Sequence, residues 1–536
     1  MARKFSDLHC HNHMRAHLHM QEKREVFEGK EEFSPWTVIS SNRAGYVKGK
    51  MGASYSQCDL VKAWNGNVRL TFNSLYPLER QFVLGLDKIN SVDLLNIAVG
   101  ISTHDKLPLR DLIQIFYMRI PLETVNYVQS NSYDYWESLK REFEFVLMDS
   151  GKTIESNKIH TSGILRRIFE NEKKRKTKFN KELWAENARY LIPESTKELE
   201  ESLQNDDEIT MILTIEGSHA LGTDLLEKGR ISIEEISKRI QEIKHEWKVP
   251  VFFMTFSHHF NNNLCGHAHS IPDKGKILLN QVHNMNKGFT DFGKRIVLEL
   301  LGLDQNLEKD PRLGYRILID VKHMSACGRM EYYQEIILPC LAKGDKIPVI
   351  ASHCGFSGVQ TLQKHIDCFD LEKDDFCDES KKFNAWNINV CEEDIEMIVK
   401  TDGLFGLSFD QRILGITKEN KKSRRNGIEL LWDNIEGIAK SAYANPKLSE
   451  AEKVKVWKCM TLGTDFEGLI DPIDHYPTVL EFQLFSSNLI FTIEQARKDP
   501  NATHLAHLKT REDTEALVDD FCYNNAEAFV RANYPK

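Results

Sequence analysis

Near the amino terminus the chain reads Phe5-Ser6-Asp7-Leu8-His9-Cys10-His11, a short strand-like run that ends in two histidines. Side chains two residues apart on a β-strand point to the same face, so His9 and His11 would lie side by side. Such a pair at a strand end can bind one metal ion through two imidazole nitrogens. The alternative for histidines near a terminus is a solvated tail, and it stays open for His13, His17 and His19. The metal interpretation requires more ligands at the ends of other strands.

Composition and charge narrow the class of protein. The chain has 536 residues, of which 41% are hydrophobic, so it can bury a large core in one or two domains. Its net charge of −9 is spread over many charges of both signs, which predicts no nucleic-acid or membrane-surface partner. No apolar segment is typical of a signal peptide or a membrane span. Eleven cysteines without CxxC spacing favour a reducing cytoplasm over a disulfide framework.

The strand pattern predicts an α/β fold, a (β/α)8 TIM barrel. Apolar, β-rich runs alternate with helical patterns along the chain. Eight such runs match the strand count of this barrel, whose active site lies at the carboxyl ends of the strands. The predicted strands are residues 5–10, 67–76, 209–215, 249–257, 315–321, 347–352, 403–409 and 459–464.

One stretch is too long for a barrel connection. Residues 84–206 read as mainly helical, and we interpret them as a large helical insertion or lid between early strands. The chain is therefore expected to divide into four parts. These are residues 1–83 with the first strands and the His-x-His pair, the insertion 84–206, the remainder of the hydrolase barrel 207–480, and a C-terminal helical segment 481–536 packing on the barrel.

Metal-type side chains follow several predicted strands. A lone histidine at a strand end is more often structural than a ligand, and His219, His259, His267 and His269 are ambiguous for that reason. The remaining candidates are convincing only as a set, because five side chains of metal-ligand type on four strands would meet at one end of the barrel. They predict a pair of divalent ions bridged by Glu216. The expected ligands are His9, His11, Glu216, His323 and His353.

A carboxylate also follows the last predicted strand. Two bridged ions lower the pKa of a shared water toward neutrality. Asp465 would then accept the proton from that water as a general base. The alternative is that Asp465 only caps a helix or closes a turn.

Several motifs, taken in this order, resemble one known family. They are Ile215–His219 (IEGSH), Met254–His258 (MTFSH) followed by Asn261, Gly288–Lys294 (GFTDFGK), Ile319–Ser325 (IDVKHMS), Pro348–His353 (PVIASH) and Gly463–Gly468 (GTDFEG). They are similar to the membrane (renal-type) dipeptidase family, peptidase family M19, in the amidohydrolase superfamily. The resemblance covers the barrel from Phe5 to about Tyr476, without the insertion.

The resemblance implies a binuclear hydrolase, with two zinc ions as cofactors, that cleaves dipeptides or similar small amides. By this analogy Glu216 bridges the metals, and His258 polarises the scissile carbonyl. Asn261 belongs to the same substrate-binding segment, and Asp465 acts as the catalytic proton shuttle. The expected partner is a small-molecule substrate, and a homodimer is compatible with the sequence.

Three positions depart from the family pattern. The family has His-x-Asp on its first strand where this chain has His-x-His11. The arginine that binds the substrate carboxylate in the family is replaced by Ile388, and a tryptophan by Leu264. Two other functions therefore stay open: an amidohydrolase acting on a lactone, cyclic amide or phosphoester, or a non-catalytic binding protein on the same barrel.

Overall fold

The computed structural model describes residues 3–20, 33–40, 56–84, 120, 122–161, 184–271, 279–368, 382–415 and 427–535. Twelve strands lie in these ranges. They are β1 (Phe5–Cys10), β2 (Val38–Ser40), β3 (Val68–Leu75), β4 (Thr153–Ile154), β5 (Ile159–Thr161), β6 (Ala188–Leu191), β7 (Ile209–Glu216), β8 (Val251–Thr255), β9 (Leu318–Asp320), β10 (Ile350–Cys354), β11 (Leu404–Leu407) and β12 (Met460–Leu462).

Eight of these strands form a parallel barrel. They hydrogen-bond in the order β1-β3-β7-β8-β9-β10-β11-β12. The chain beyond β12 returns to β1, because the Asp465 amide donates to the His9 carbonyl at 2.9 Å and the His11 amide donates to the Phe466 carbonyl at 3.1 Å. The predicted (β/α)8 barrel is therefore confirmed, and all eight predicted strands are barrel strands.

Helices connect the strands and cover the barrel. Thr290 caps one of them, since its hydroxyl accepts from the Gly293 amide. The α-helices are Met14–His19, Leu60–Asn65, Gln81–Leu84, Leu122–Gln129, Tyr135–Leu147, Thr196–Leu203, Asp224–Glu227, Ile233–His245, Asp291–Leu301, Ala326–Tyr332, Leu338–Ala342, Leu362–Asp367, Glu392–Lys400, Gln411–Leu414, Gly427–Ala444, Glu450–Lys455, Phe482–Ala496, Arg511–Asp519 and Asn525–Asn533.

The barrel interior contains a polar layer beneath its carboxyl end. The Asp320 carboxylate, fully buried, accepts from the Thr255 and Ser352 hydroxyls, both at 2.6 Å. Beside this layer the strands approach closely, because a Cβ on Gly406 or Gly463 would lie 1.9 Å from the Ser352 carbonyl oxygen. These contacts fix the strand ends from which the site is built.

The described part of residues 84–206 contains strands as well as helices. The sequence predicted mainly helix here, but β6 pairs in parallel with β7 and antiparallel with β4, and β5 pairs with β2. β6 has only four residues with alternating burial, so its period is too short to stand out in the sequence. The domain boundaries proposed from the sequence stay predictions.

The C-terminal helices pack against the beginnings of β1 and β12. The Thr461 hydroxyl donates to the Phe521 carbonyl at 3.0 Å, and the Asn525 side-chain amide donates to the Met460 carbonyl at 2.8 Å.

Within the described residues, no helix is both long and apolar enough to cross a membrane. Nine described cysteines are free thiols, and Cys368 is disulfide-bonded. The cytoplasmic location stays a prediction.

Candidate metal centre

The carboxylate of Glu216, the last residue of β7, is the centre of the site. Its side chain is 3% exposed. Its Oε1 lies 3.2 Å from His9 Nε2 and 3.3 Å from His258 Nε2, and its Oε2 lies 3.2 Å from His11 Nε2. Burial alone would raise the pKa of this carboxyl group. The surrounding histidines outweigh burial and keep the pKa of Glu216 well below its usual range, so the carboxylate is held ionised.

The first strand supplies two imidazoles to this centre. Both rings are buried, and the His11 Nδ1–H donates to the Ser74 carbonyl at 2.9 Å. This bond leaves His11 Nε2 as the ring nitrogen that would bind a metal ion. The structure thus places His9 and His11 together, as predicted, and excludes the solvated-tail alternative for this pair.

His323 and His353 come from the ends of neighbouring strands β9 and β10. Their Nε2 atoms are 3.1 Å apart, and they lie 3.8 and 3.6 Å from Glu216 Oε1. His323 has a left-handed backbone, with φ of 62°. All five predicted ligands therefore meet at one end of the barrel.

The cluster has the composition and spacing of a metal-binding site. Two ligands of a tetrahedral zinc, each about 2.0–2.1 Å from the ion, lie about 3.3–3.4 Å apart, close to the contacts of Glu216 with His9 and His11. Several buried ring nitrogens have no hydrogen-bond partner among the described residues, as metal ligands require. These are both nitrogens of His9, Nε2 of His11 and Nδ1 of His323.

Two groups of ligand atoms are compact enough for one ion each. One consists of His9, Glu216, His353 and Asp465, and the other of His258, His259 and His323. His259 is thus a candidate ligand that we left ambiguous from the sequence. Its Nδ1 lies 2.6 Å from the Ser270 hydroxyl, and its Nε2 is left for the site.

Asp465 lies beside this cluster, as predicted. Its backbone is left-handed, with φ of 63°, and its Oδ1 and Oδ2 lie 3.8 and 3.9 Å from Nε2 of His9 and His353. Burial, followed by the negative charge of Glu216, raises the pKa of Asp465 well above its usual range. A carboxylate in this place has a high affinity for a proton.

Glu79, in the loop after β3, is a functional candidate that the sequence did not reveal. Its Oε2 accepts from His258 Nδ1 at 2.5 Å and from the Tyr76 hydroxyl at 3.2 Å, and it is 2% exposed. Burial alone would raise the pKa of Glu79 and lower the pKa of His258, but the attraction between the two side chains outweighs it. The charge of His258 lowers the pKa of Glu79 to about 2. The charges of Glu216 and Glu79 raise the pKa of His258 to about 10. Glu79 lies four residues beyond the end of β3, in the stretch Tyr76-Pro77-Leu78-Glu79-Arg80, and nothing in this stretch marks it as functional.

Other histidines do not join the cluster. His219 Nε2 donates to the Pro77 carbonyl at 2.9 Å, and His267 bonds to backbone carbonyls. Asn261, the predicted substrate-binding residue, bonds to Asn263 and Asn284 within its own loop. Its contact with a substrate stays a prediction.

A second buried pair joins the helix Tyr135–Leu147 to the barrel. His13 Nε2 donates to Glu142 Oε1 at 2.7 Å, and both Glu142 oxygens accept from the Tyr76 amide. Burial lowers the pKa of the neighbouring His17 to about 4. His13 is buried and His17 is partly buried, so neither lies in a solvated tail.

The fold and the site together define a (β/α)8 barrel with a histidine–carboxylate cluster of metal-ligand type at its carboxyl end. No family model and no curated protein matches the chain. Among solved structures, it is similar to a dipeptidase described as an M19 metallopeptidase, with 14% identity over all of both chains and a TM-score of 0.49.

It is also similar to a metallopeptidase from Rhodobacter sphaeroides bound to a phosphinate mimic of L-Ala-D-Ala, with 14% identity over all of both chains and a TM-score of 0.48. A probable dipeptidase from Pseudomonas aeruginosa has 12% identity over 88% of each chain and a TM-score of 0.41. The M19 family that the motifs resemble is therefore among these similar structures.

Proposed function

We propose that this protein is a metal-dependent hydrolase of the M19 type that cleaves a dipeptide or a similar small amide. The observation that carries the proposal is the convergence of four histidines on the buried Glu216 carboxylate at the carboxyl end of the barrel. In such barrels this end is where catalysis occurs. Burying an ionised carboxylate among several imidazoles costs free energy unless these groups coordinate a metal ion or pair with another charge.

The proposed cofactor is a pair of divalent ions, with zinc as the expected metal. By the assignment made from the sequence, His9 and His11 would hold one ion and His323 and His353 the other, with Glu216 shared. The two compact groups of ligand atoms divide the histidines differently, with His9 beside His353 and with His323 beside His258 and His259. When bound, such a pair lowers the pKa of a shared water to near neutrality. Imidazole and carboxylate are suitable ligands for zinc.

Asp465 accepts the proton of the attacking water in this mechanism. It lies beside His9 and His353, and its raised pKa suits a group that takes up a proton and later gives it to the leaving amine. Helped by Glu79, His258 presents an Nε2–H to the substrate. This N–H can donate to the carbonyl oxygen as negative charge develops there.

Metal analysis and an assay panel test the proposal. Zinc-loaded protein should carry about two ions per chain and hydrolyse at least one of a set of dipeptides, N-acyl amino acids, lactones and phosphoesters. Glu216→Gln should lose metal and activity. Glu208→Gln is a matched control, because Glu208 is a buried glutamate at the opposite end of β7, paired with Arg189.

The outcomes are distinct. Absence of bound metal in the wild type contradicts the proposal. Metal binding with hydrolysis of lactones or phosphoesters alone retains the metal centre and replaces the substrate. Metal binding without any hydrolysis favours the non-catalytic alternative.

A further inference from the structure

His259 follows His258 directly, beyond the end of β8. The strand ends at Thr255, so both histidines lie in the loop after it. Adjacent side chains on a strand point to opposite faces, but outside the strand this restriction is lifted. The centroids of both rings lie 4.6 Å from the centroid of the His323 ring, and their own centroids are 4.1 Å apart. His259 therefore faces the metal centre together with His258.

A serine and a glutamine hold the ring of His259 in place. Its Nδ1 lies 2.6 Å from the Ser270 hydroxyl, which also accepts from Gln281 Nε2 at 2.7 Å. The same Nε2 donates to the His259 carbonyl at 2.6 Å. The Gln281 side chain is buried, and its Oε1 accepts from the amides of Ser270 and Ile271 at 3.2 and 2.8 Å. With acceptors at its nitrogen and donors at its oxygen, only this orientation of the Gln281 amide fits.

These contacts leave one nitrogen of His259 for a metal ion. A hydroxyl oxygen has two lone pairs, so Ser270 can accept from the Gln281 amide and from the His259 Nδ1–H together. A proton on Nδ1 leaves the lone pair of the neutral ring on Nε2. Within the part of the chain that the structure describes, no hydrogen bond reaches this Nε2. Histidines that bind metals typically donate the N–H of their other ring nitrogen to a nearby acceptor in this way.

The nearest neighbouring ligand of a bound ion would be His323. The ligand atoms of His258, His259 and His323 lie within 4.8 Å of one another. His258 differs from the other two because both of its nitrogens face carboxylates, Glu79 at 2.5 Å and Glu216 at 3.3 Å. The proposed function uses its Nε2–H as a donor to the substrate. His259 and His323 therefore remain as the metal ligands of this group.

Two other histidines of neighbouring loops lack this arrangement. His219 Nε2 donates to the Pro77 carbonyl at 2.9 Å. The two nitrogens of His267 lie 3.1 and 3.3 Å from the carbonyls of Ala268 and His283. These rings are bonded to the backbone, whereas His259 is bonded to a side chain that is itself held by a buried amide. Such a second layer of support is typical of metal ligands.

We propose that His259 is a ligand of the ion that His323 holds, and that Ser270 and Gln281 position it. The inference rests on the metal centre of the proposed function and is independent of the substrate. Catalytic zinc ions typically have three protein ligands and one open position. His259, His323 and the shared Glu216 carboxylate, whose Oε1 lies 3.8 Å from His323 Nε2, would make up such a set.

Zinc binding to the full-length protein tests the inference without an activity assay. By elemental analysis after dialysis, wild type should carry about two ions per chain and His259→Ala about one. Ser270→Ala should bind the second ion about 10–100-fold more weakly in a competition titration with a chelator, because His259 loses its partner. Ser357→Ala is a matched control, because the Ser357 hydroxyl contacts His365 Nε2 at 3.2 Å and His365 is outside both groups of ligand atoms. Its zinc binding should be unchanged.

Melting temperatures separate a metal ligand from a structural histidine. Zinc that binds only the folded protein raises the melting temperature. Loss of a ligand should reduce this rise in His259→Ala. Loss of a purely structural contact would instead lower the melting temperatures of the metal-free and zinc-loaded forms equally.

Each outcome decides a different point. Two ions bound by His259→Ala with wild-type affinity overturn the inference and leave the hydrolase proposal intact. Absence of bound zinc from the wild type overturns the proposed function and this inference together. Unchanged zinc affinity in Ser270→Ala overturns the positioning role of Ser270. If His259→Ala does not fold, the comparison of Ser270→Ala with Ser357→Ala still decides the question.

Discussion

Replacing Asp465 with asparagine separates proton transfer from folding. Asparagine has nearly the same shape and tolerates the left-handed backbone, with φ of 63°, about as well as aspartate. The amide of residue 465 can still donate to the His9 carbonyl. What the variant loses is a carboxylate able to accept a proton.

The expected effects follow from these contacts. General acid–base catalysis is typically worth ~10²–10⁴-fold, so turnover should fall by about that factor. Among the described residues the Asp465 side chain has no hydrogen bond to lose. Because burial and Glu216 raise its pKa, a neutral amide fits at least as well in the metal-free protein. The melting temperature of that form should not fall.

Turnover, zinc content and melting temperature should be measured on one preparation. Asp402→Asn is a matched control, because Asp402 also has a left-handed backbone, with φ of 53°, but lies on the surface beside Lys346 and Lys455. Its surface ion pairs are worth ~0–1 kcal/mol, and its turnover should be unchanged. If Asp465→Asn retains more than about a tenth of wild-type turnover, Asp465 is not the proton acceptor.

Three further predictions concern other residues. Glu79→Gln should keep both metals and the fold but lower kcat by ~10–100-fold, because Glu79 orients His258. An unchanged kcat in steady-state assays would contradict this role. His11→Asp should retain metal and hydrolysis, whereas His11→Ala should lose metal, as measured by elemental analysis. Equal metal content in the two variants would exclude His11 as a ligand. Burial lowers the pKa of His365 to about 3, so the unfolded chain binds its proton more readily and stability should fall as pH drops from about 6.5 to 3. His365→Gln should flatten this part of the melting-temperature profile, and an unaltered profile would refute the assignment.

The strand ends of the barrel could be predicted because each carries its signal locally. An apolar run followed by a histidine or carboxylate is visible without knowledge of any other element, and His9, Glu216, His353 and Asp465 all have this form. The parallel barrel then brings these ends together.

Glu79 and Glu142 could not be predicted in the same way. Glu79 meets His258 across 179 residues of sequence, and Glu142 meets His13 across 129 residues. Neither glutamate follows a strand directly, so no local pattern marks it. Their contacts depend on how the loop after β3 and the helix Tyr135–Leu147 pack against the barrel, which is a property of tertiary structure.

The closure of the barrel between its first and last strands has a consequence for biosynthesis. The Thr464 backbone amide donates a hydrogen bond to Asp7 Oδ1, and 457 residues separate the two in the sequence. At about 5–20 residues per second, the ribosome needs roughly 20 to 90 seconds to make that length of chain. Glu216 emerges 465 − 216 = 249 residues before Asp465. The nascent chain therefore contains His9, His11 and Glu216, the residues proposed to hold a first ion, well before Asp465, the proposed proton acceptor, has been translated.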